Sequence, residues 1–363
     1  MIKNKRKCIL LLSGGGTKCC YQITMLKNII SSQIYIDNYN LTEIYGTSFG
    51  SLTGLCICLE KHDELIKFFL SLTKDSLVPW FDVWGMDNYI RKIPFIGQIL
   101  GIIIDMIWII VSLSKKSLYN PQVGIKFIES LNLDKEESKR KLKNYYCCVY
   151  NVTKGTTQYI NGHHPEIKKY ILASSSIWII FPPVQIRMLS SECYCNVKCE
   201  CDKKSKYCTC IDVKHQYNEF IDGGFLKPMP QLITPLKKHM DKNKRFVIDN
   251  KIKDDIYIFT TNSSSYIINP SFKNKDTGFH LFEYLDRLIT YLIDLNYGSD
   301  FKDIVNIINK YRLYDNIKVI EYVPIVNDMI NVNHDTIKKM LREGENMSVE
   351  FIETILKKRQ LLL

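Results

Sequence analysis

Apolar and polar positions near the start of the chain follow a repeated pattern. Ile9–Leu12 is a short apolar run that ends at a glycine turn, Gly14–Gly16, which predicts a buried strand and a tight turn. Tyr21–Ser31 then has helical spacing, and Leu41–Tyr45 is a second apolar run that ends at the turn Gly46–Gly50. Strand, turn and helix in this repeated order predict a parallel α/β sheet.

The rest of the chain continues with short elements. We predict strands at Tyr145–Val152, Thr156–Ile160, Val184–Leu189, Tyr217–Ile221, Ile256–Thr260 and Ile317–Val323, and helices at Val123–Leu131, Glu166–Ala173, Phe279–Leu295 and from Val349. We interpret the charged stretch Asp134–Lys143 as a linker. No repeat interrupts the pattern, so we expect one domain over residues 1–335 and a helical tail over residues 336–363.

One apolar run, Ile93–Leu113, has the length to cross a bilayer. Asp105 in its middle would cost about 2.5–3.5 kcal/mol on insertion, and a crossing would separate residues that share one site. A buried core helix or a helix that contacts a membrane or covers a site is therefore favoured over a true span. The basic pairs Arg91-Lys92 and Lys115-Lys116 suit a helix that lies on a membrane surface.

Composition and charge describe a globular protein with an anionic partner. Of the 363 residues, 46% are apolar, and the formal net charge is +11. Ala occurs once, as Ala173, whereas Ile, Asn, Lys and Tyr are abundant, so an AT-rich coding sequence accounts for part of that charge. A charge of this size attracts nucleic acid or anionic lipid surfaces and does not choose between them, but no basic and aromatic module for nucleic acid is present, so we expect no nucleic-acid partner.

The N-terminus and the cysteines indicate a reducing compartment. The apolar run after the basic residues 1–7 is shorter than the roughly 7–15 residues of an export signal, so we expect no signal peptide. Thirteen Cys is an uneven number in a large chain, which argues against a secreted disulfide framework. We expect a cytoplasmic protein that associates peripherally with membranes.

Gly46-Thr47-Ser48-Phe49-Gly50 is a G-x-S-x-G motif between a predicted strand and a predicted helix. A sharp turn there lifts the serine oxygen clear of the sheet, with glycines where side chains would collide. The helix that follows points its N-terminal amides towards a developing oxyanion. The alternative is an ordinary strand–helix connection, but this context favours Ser48 as a nucleophile.

Gly14–Lys18 is a second glycine-rich turn after a strand. It lacks the Gly-Lys-Ser or Gly-Lys-Thr ending of a P-loop, and Cys19 stands where a dinucleotide-binding loop needs Gly. What remains is a loop whose backbone N–H groups bind an anion, as an oxyanion hole requires.

The base that would activate Ser48 is less clear from local sequence. None of the seven His is placed convincingly for an α/β-hydrolase triad. Asp222 stands at the end of a predicted strand and precedes Gly223-Gly224. An active-site carboxylate and a simple Asp-Gly turn are both good interpretations of this position.

Three motifs occur in the order Gly14-Gly15-Gly16-Thr17-Lys18, Gly46-Thr47-Ser48-Phe49-Gly50 and Asp222-Gly223-Gly224. Together they resemble the motifs of patatin-like phospholipases. The stretch from Ala173-Ser174-Ser175 to Phe181-Pro182-Pro183-Val184 resembles the family's segment before its Asp-Gly-Gly. The resemblance extends over residues 5–235.

The resemblance implies a three-layer α/β/α fold with a mostly parallel central sheet, and a Ser–Asp dyad that needs neither His nor a cofactor. Ser48 would be the nucleophile, Asp222 the proton acceptor, and Gly14–Lys18 the oxyanion hole, with the amides of Gly15, Gly16 and Thr17 or Lys18 as donors. Attack on a lipid ester would form an acyl-Ser48 that water hydrolyses. Since a carboxylate is a weak base in water, Asp222 should be partly desolvated.

Three positions depart from the family pattern. Cys19 replaces the last glycine of the first motif, and Phe49 replaces a small residue after the nucleophile. The segment after Asp-Gly-Gly reads Lys227-Pro228-Met229-Pro230, without the family's Asn before the final Pro. None of these changes removes a member of the dyad.

A cysteine-rich insertion at about residues 190–212 lengthens the hairpin before Asp222. Its six cysteines form three C-x-C pairs, each of which could hold one ion: Cys193, Cys195, Cys199, Cys201, Cys208 and Cys210. The spacing is not the usual C-x2-C, so a structural zinc site, a reduced loop and local disulfides remain open.

We therefore predict a lipid acyl hydrolase of the phospholipase A type. Phe95–Leu113 would dock it on a lipid surface or line the acyl pocket. A lysophospholipase or neutral-lipid esterase is the alternative within the same class. A catalytically weak protein that binds membranes or a partner through a metal-bound cysteine insert is the alternative from another class.

Overall fold

The structure is a computed structural model that describes residues 5–72, 121–177, 180–189, 207, 217–239, 254–262, 281–323 and 333–357. In these ranges the strands are β1 (Arg6–Leu12), β2 (Tyr39–Thr47), β3 (Tyr145–Asn151), β4 (Thr156–Asn161), β5 (Val184–Arg187), β6 (Tyr217–Asp222), β7 (Asp254–Phe259) and β8 (Ile317–Ile320). The helices are α1 (Cys20–Ser31), α2 (Gln33–Asn38), α3 (Phe49–Leu59), α4 (His62–Ser71), α5 (Gln122–Ser130), α6 (Glu136–Lys141), α7 (Ile167–Ser174), α8 (Ile233–Leu236), α9 (Leu281–Tyr311) and α10 (His334–Phe351).

The described strands form a single mixed sheet. Neighbours run in the order β5-β6-β3-β2-β1-β7-β8, and β4 pairs with β3 outside this path. The pairs β1–β2, β1–β7, β2–β3 and β7–β8 are parallel, whereas β3–β4, β3–β6 and β5–β6 are antiparallel. The prediction of a mostly parallel central sheet is confirmed.

Helices cover both faces of this sheet, as β1 illustrates. Its residues Cys8, Leu10 and Leu12 lie in one apolar cluster, which includes buried residues of α1, α3, α7 and α10. The intervening Ile9 and Leu11 lie in a second cluster with residues of α8 and α9. Because successive side chains of a strand point to opposite faces, the fold has the predicted three layers.

Two predicted elements differ from the structure. The stretch Asp134–Lys143 is not a linker, because α6 occupies Glu136–Lys141 and Ser138 Oγ donates to the Asn132 carbonyl. The helix predicted at Phe279–Leu295 reaches Tyr311. Apolar periodicity alone underestimated its length.

The C-terminal helix α10 begins at His334, 15 residues before the predicted start at Val349. Asn333 caps it by accepting hydrogen bonds from the N–H groups of Asp335 and Thr336. The helix packs tightly on α1: Thr24 Oγ1 donates to the Leu341 carbonyl at 2.9 Å, and a Cβ at Gly344 would lie 2.3 Å from the Tyr21 carbonyl oxygen. Residues of the predicted tail therefore contribute to the core.

Several sequence predictions lie outside the described residues. These are the apolar run Ile93–Leu113 and the cysteines Cys193, Cys195, Cys199, Cys201, Cys208 and Cys210, so the zinc site and the docking segment stay predictions. No helix in the described ranges has the length and apolarity to span a membrane. The same ranges hold no cluster of three or more His, Cys, Asp or Glu that could bind a metal, and their seven cysteines are free thiols.

Candidate active site

The C-terminal ends of β2 and β6 meet along one edge of β3. Since β4 pairs with the opposite edge over Tyr146–Asn151, β2 and β6 share the remaining one. Thr47 of β2 pairs with Cys148 in parallel, and Asp222 of β6 pairs with the next residue, Val149, in antiparallel. Because the two strands run towards each other, Ser48 and Asp222 are brought together at this point.

Ser48 occupies a strained turn between β2 and α3. Its φ of 55° and ψ of −134° are rare for a residue with a side chain. A Cβ at Gly46 would lie 2.4 Å from Ser51 Cα, and one at Gly50 would lie 2.4 Å from the Ser13 carbonyl oxygen. The two glycines of the motif are therefore required by close packing of backbone.

Ser174 supports this turn from α7. Its hydroxyl accepts the Ser48 N–H at 3.2 Å and donates to the Cys148 carbonyl at 2.7 Å. Ser174 thus joins the nucleophile's backbone to β3. Sequence reasoning included Ser174 only within a family-like segment and assigned it no role.

Asp222 is buried, with 1% of its surface exposed. Its N–H donates to the Ser176 carbonyl at 3.0 Å, and its Oδ1 accepts the Gly224 N–H at 2.7 Å. Burial raises the pKa of Asp222 to about 7, and the nearby Ser48 hydroxyl and the Gly224 N–H oppose that rise. A carboxyl group with this pKa exchanges a proton near neutral pH.

Ser48 and Asp222 are separated by very little space. A Cβ on Gly224 would lie 3.0 Å from Asp222 Oδ1 and 3.5 Å from Ser48 Cβ. Ser48 Oγ is buried and has no hydrogen-bond partner of normal geometry among the described residues. Its side chain is nevertheless close enough to lower the pKa of Asp222. The two side chains are therefore adjacent, although no hydrogen bond of normal geometry joins them.

The glycine loop lies against Ser48 on another side. A Cβ at Gly14 would lie 2.7 Å from Ser48 Cβ and 3.5 Å from its Oγ. The Gly14 N–H donates to the Pro228 carbonyl at 2.9 Å, and the Lys18 N–H donates to the Gly15 carbonyl at 3.1 Å. Because the Gly14 and Lys18 amides already donate to carbonyls, the predicted oxyanion donors that remain are the other amides of the loop.

The remaining amides of the loop differ in their contacts. Within the described part of the chain, the N–H groups of Gly15 and Gly16 have no acceptor. Gly16 has a φ of 57°, the left-handed region that favours glycine. Thr17 and Lys18 are buried in the short helix that follows, and Lys18 Nζ donates to Asn262 Oδ1 at 3.2 Å.

Two buried thiols interact electrostatically with Asp222. Burial raises the pKa of the Cys19 thiol well above its usual range, and the charge of Asp222 adds to the rise. Burial also raises the pKa of Cys148 to about 12. Both thiols are therefore neutral at physiological pH, and they contribute an environment of low polarity rather than a second nucleophile.

The departures from the family pattern are accommodated by packing. Cys19 Sγ lies 3.6 Å from the Ser13 carbonyl oxygen in the core. The Phe49 ring packs against Phe69, with centroids 5.8 Å apart. Lys227 forms an ion pair with Asp300 of α9 at 2.8 Å.

Polar residues after β7 also reach the site, and sequence reasoning missed them. Thr261 Oγ1 donates to the Gly14 carbonyl, and its side chain fills the space beside Gly15. Thr261 and Asn262 are the second and third residues after a buried strand. Polar residues at the carboxyl end of a parallel strand are the signal that could have indicated them.

The chain matches the model of one protein family. That family is described as patatin-like phospholipase, and the match covers residues 10–234. It confirms the resemblance read from the three motifs and identifies the sheet and its helices as the patatin fold. The family's general activity is hydrolysis of lipid acyl esters, and its members typically need no cofactor.

The chain is only distantly similar to individual proteins. The crystal structure of VipD from Legionella pneumophila is similar over 96% of this chain and 67% of that chain, with 11% sequence identity and a TM-score of 0.36. No curated protein matches the chain.

Proposed function

Because this chain belongs to the patatin-like phospholipase family, we propose that it is a serine ester hydrolase that cleaves fatty-acyl esters of phospholipids with Ser48 and Asp222 as its dyad. One observation carries the proposal. A serine in a strained turn and a buried carboxyl group with a pKa of about 7 lie next to each other where β2 and β6 meet.

The proposed reaction begins with proton transfer from Ser48 to Asp222. Ser48 Oγ attacks the ester carbonyl as the Asp222 carboxylate accepts its proton. The carbonyl then re-forms, and the lysolipid alcohol leaves with the proton that Asp222 returns. Water hydrolyses the acyl-Ser48 in the same way, with Asp222 as the base, and releases the fatty acid.

The developing oxyanion would be bound by the Gly14–Lys18 loop. The N–H groups of Gly15 and Gly16 are the best candidates, since those of Gly14 and Lys18 already donate to carbonyls. Loss of one such donor costs about 2.7–4 kcal/mol of transition-state stabilisation in a hydrolase. The dipole of α3, whose N-terminus begins beside Ser48, adds to this stabilisation.

The dyad is tested by fatty-acid release from phospholipid vesicles. We compare the wild type with Ser48→Ala and Asp222→Asn, and with two matched controls, Ser175→Ala and Asp255→Asn. Ser175 lies on the turn after α7 and its hydroxyl donates to two carbonyls of that helix, whereas Asp255 is a buried aspartate on β7 paired with Arg6. A fluorophosphonate that reacts covalently with activated serines, followed by peptide mapping, identifies the labelled residue.

We expect release by the wild type and both controls, and a fall of at least about 1,000-fold in the two dyad variants. Label should appear on Ser48. Equal activity in all five proteins would refute the dyad. Vesicle binding by a wild type that releases no fatty acid would favour the binding-protein alternative. Parallel assays with lysophospholipid and neutral-lipid emulsions identify the substrate class.

A further inference from the structure

One turn of α9 contacts both loops of the candidate site. Asn296, Tyr297 and Asp300 lie within five consecutive residues, and each makes a hydrogen bond to a segment next to Ser48 or Asp222. This turn lies beyond residues 10–234, the range matched by the family model. The sequence motifs therefore say nothing about it.

Tyr297 contacts the glycine loop through Ser13 and Thr261. Its buried hydroxyl donates to Ser13 Oγ at 2.9 Å and accepts the Thr261 N–H at 2.8 Å. Thr261 in turn donates to the Gly14 carbonyl, and its Oγ1 lies 2.4 Å from the place of a Cβ on Gly15. Tyr297 thus holds Thr261, the residue that packs against Gly14 and Gly15 of the oxyanion loop.

Asp300 holds the loop that follows Asp222. Its Oδ1 accepts from Lys227 Nζ at 2.8 Å, and its Oδ2 accepts from the Met229 N–H at 3.2 Å. Pro228 lies between these two attachment points, and its carbonyl accepts the Gly14 N–H. The hydrogen bond between Gly14 and Pro228 joins the glycine loop to the loop after Asp222. The same turn of α9 therefore contacts the neighbours of both residues, Ser13 through Tyr297 and Met229 through Asp300.

Asn296 adds a contact closer to the dyad. Its Nδ2 donates to the Phe225 carbonyl at 2.9 Å. Phe225 directly follows Gly224, whose N–H binds Asp222 Oδ1. The segment from Phe225 to Met229, which follows the Asp222 turn, is thus attached to α9 at its beginning and its end.

Glycine-rich loops need such support, because they have little side-chain packing of their own and many accessible backbone conformations. A displacement of 1 Å of a reacting group can reduce the rate by about 100-fold. We propose that Tyr297 and Asp300 are positioning residues, which hold the oxyanion loop and the Asp222 loop in one geometry. This inference rests on the proposed hydrolase function.

The test compares Tyr297→Phe and Asp300→Asn with matched controls at the other end of the sheet. Tyr39→Phe removes the hydroxyl of a buried tyrosine at the start of β2, and Asp255→Asn removes the charge of a buried, ion-paired aspartate at the start of β7. We measure kcat and KM on a water-soluble acyl ester, the rate at which fluorophosphonate labels Ser48, and the melting temperature.

We expect kcat and the labelling rate to fall by about 10-fold to 100-fold in Tyr297→Phe and Asp300→Asn, with KM within about twofold of the wild type. The controls should lose melting temperature to a similar degree and keep kcat within about twofold. Lys227→Met should lower kcat as Asp300→Asn does, and Lys227→Arg should restore it. The two Lys227 variants also keep the test decisive if Tyr297→Phe or Asp300→Asn fails to fold.

Two failures are distinguishable. If the wild type is inactive, or Ser48→Ala is as active as the wild type, the hydrolase proposal fails. If activity depends on Ser48 but Tyr297→Phe and Asp300→Asn match their controls in kcat and labelling rate, the positioning role is refuted and the proposed function stands.

Discussion

Thr47 and Asp222 lie end to end along one edge of β3, opposite the adjacent residues Cys148 and Val149. This relationship places the next residue of β2, Ser48, against the carboxyl group at the end of β6. The two chains approach from opposite directions, so neither can extend further along the edge. Each must turn away, which accounts for the sharp turns at Ser48 and at Gly223-Gly224.

The pKa of Asp222 predicts the pH dependence of the proposed reaction. Burial disfavours the charged carboxylate and raises the pKa to about 7, and only the carboxylate can accept the Ser48 proton. We therefore expect kcat/KM to increase with pH, with an apparent pKa near 7, and to level off above it. The profile is measured on a soluble ester between pH 4.5 and pH 9, values chosen to bracket that pKa by about two units.

Stability should change with pH in the opposite direction. The folded state binds the Asp222 proton more tightly than the unfolded chain, so the free energy of unfolding should fall as pH rises from about 4 to about 7. Asp222→Asn should remove this loss, as seen by urea unfolding at the two ends of that range. If kcat/KM of the wild type instead increased with an apparent pKa near 4, the ordinary value for aspartate, it would contradict the raised pKa of Asp222.

Gly14→Ala should block the site. The added methyl would lie 2.7 Å from Ser48 Cβ, so the loop or the serine must move, and we expect kcat to fall by about 100-fold. Gly124→Ala on α5 is the control, because its methyl would meet no atom nearer than 3.9 Å and Ala favours a helix. An active Gly14→Ala enzyme with unchanged kcat would show that the loop does not pack against Ser48.

Ser174→Ala should weaken the turn that presents the nucleophile. The Ser48 N–H and the Cys148 carbonyl would both lose their Ser174 partner, at a cost of about 1–3 kcal/mol for each buried group left unpaired. We expect kcat on the soluble ester to fall by at least about 10-fold. The neighbouring Ser175→Ala should retain wild-type kcat, and equal loss in both variants would argue against a specific role for Ser174.

Gly344→Ala should destabilise the fold through the contact between α10 and α1. The new methyl would lie 2.1 Å from Thr24 Oγ1 and 2.3 Å from the Tyr21 carbonyl oxygen. Overpacking of this kind costs about 1–3 kcal/mol, measurable as a lower midpoint of urea unfolding. Lys338→Ala, at an exposed position of the same helix, should leave the midpoint unchanged. Equal midpoints would mean that α10 does not contribute to the core.

Local sequence predicted best the elements that are marked by a pattern of only a few residues. β1, β3, β4 and the turns at Gly14–Gly16 and Gly46–Gly50 combine a brief apolar run with glycines. The start of α10 was predicted 15 residues too late, since its buried face includes Gly344 and Ser348 as well as Ile337 and Met340. An apolar period interrupted by Gly and Ser is difficult to recognise until the partner helix is known.

Ser48, Asp222 and the glycine loop were predicted as one site only because three motifs in order resemble a family. Local chemistry left Asp222 open between a catalytic carboxylate and a simple turn. Its pKa of about 7 results from complete burial, and burial is a property of the packed chain. The roles proposed for Ser174, Tyr297 and Asp300 likewise depend on partners between 26 and 284 residues away.

The sequence by itself determined the order of strands and turns and the residue types that can act as nucleophile, base and anion-binding loop. These depend on backbone sterics and side-chain chemistry over a few residues, so they can be read locally. Only the tertiary structure decided that β2 and β6 end against each other, that Asp222 is desolvated, and that α9 joins the two loops. Such features arise from contacts between distant segments, which form because the sheet buries both of its faces at once.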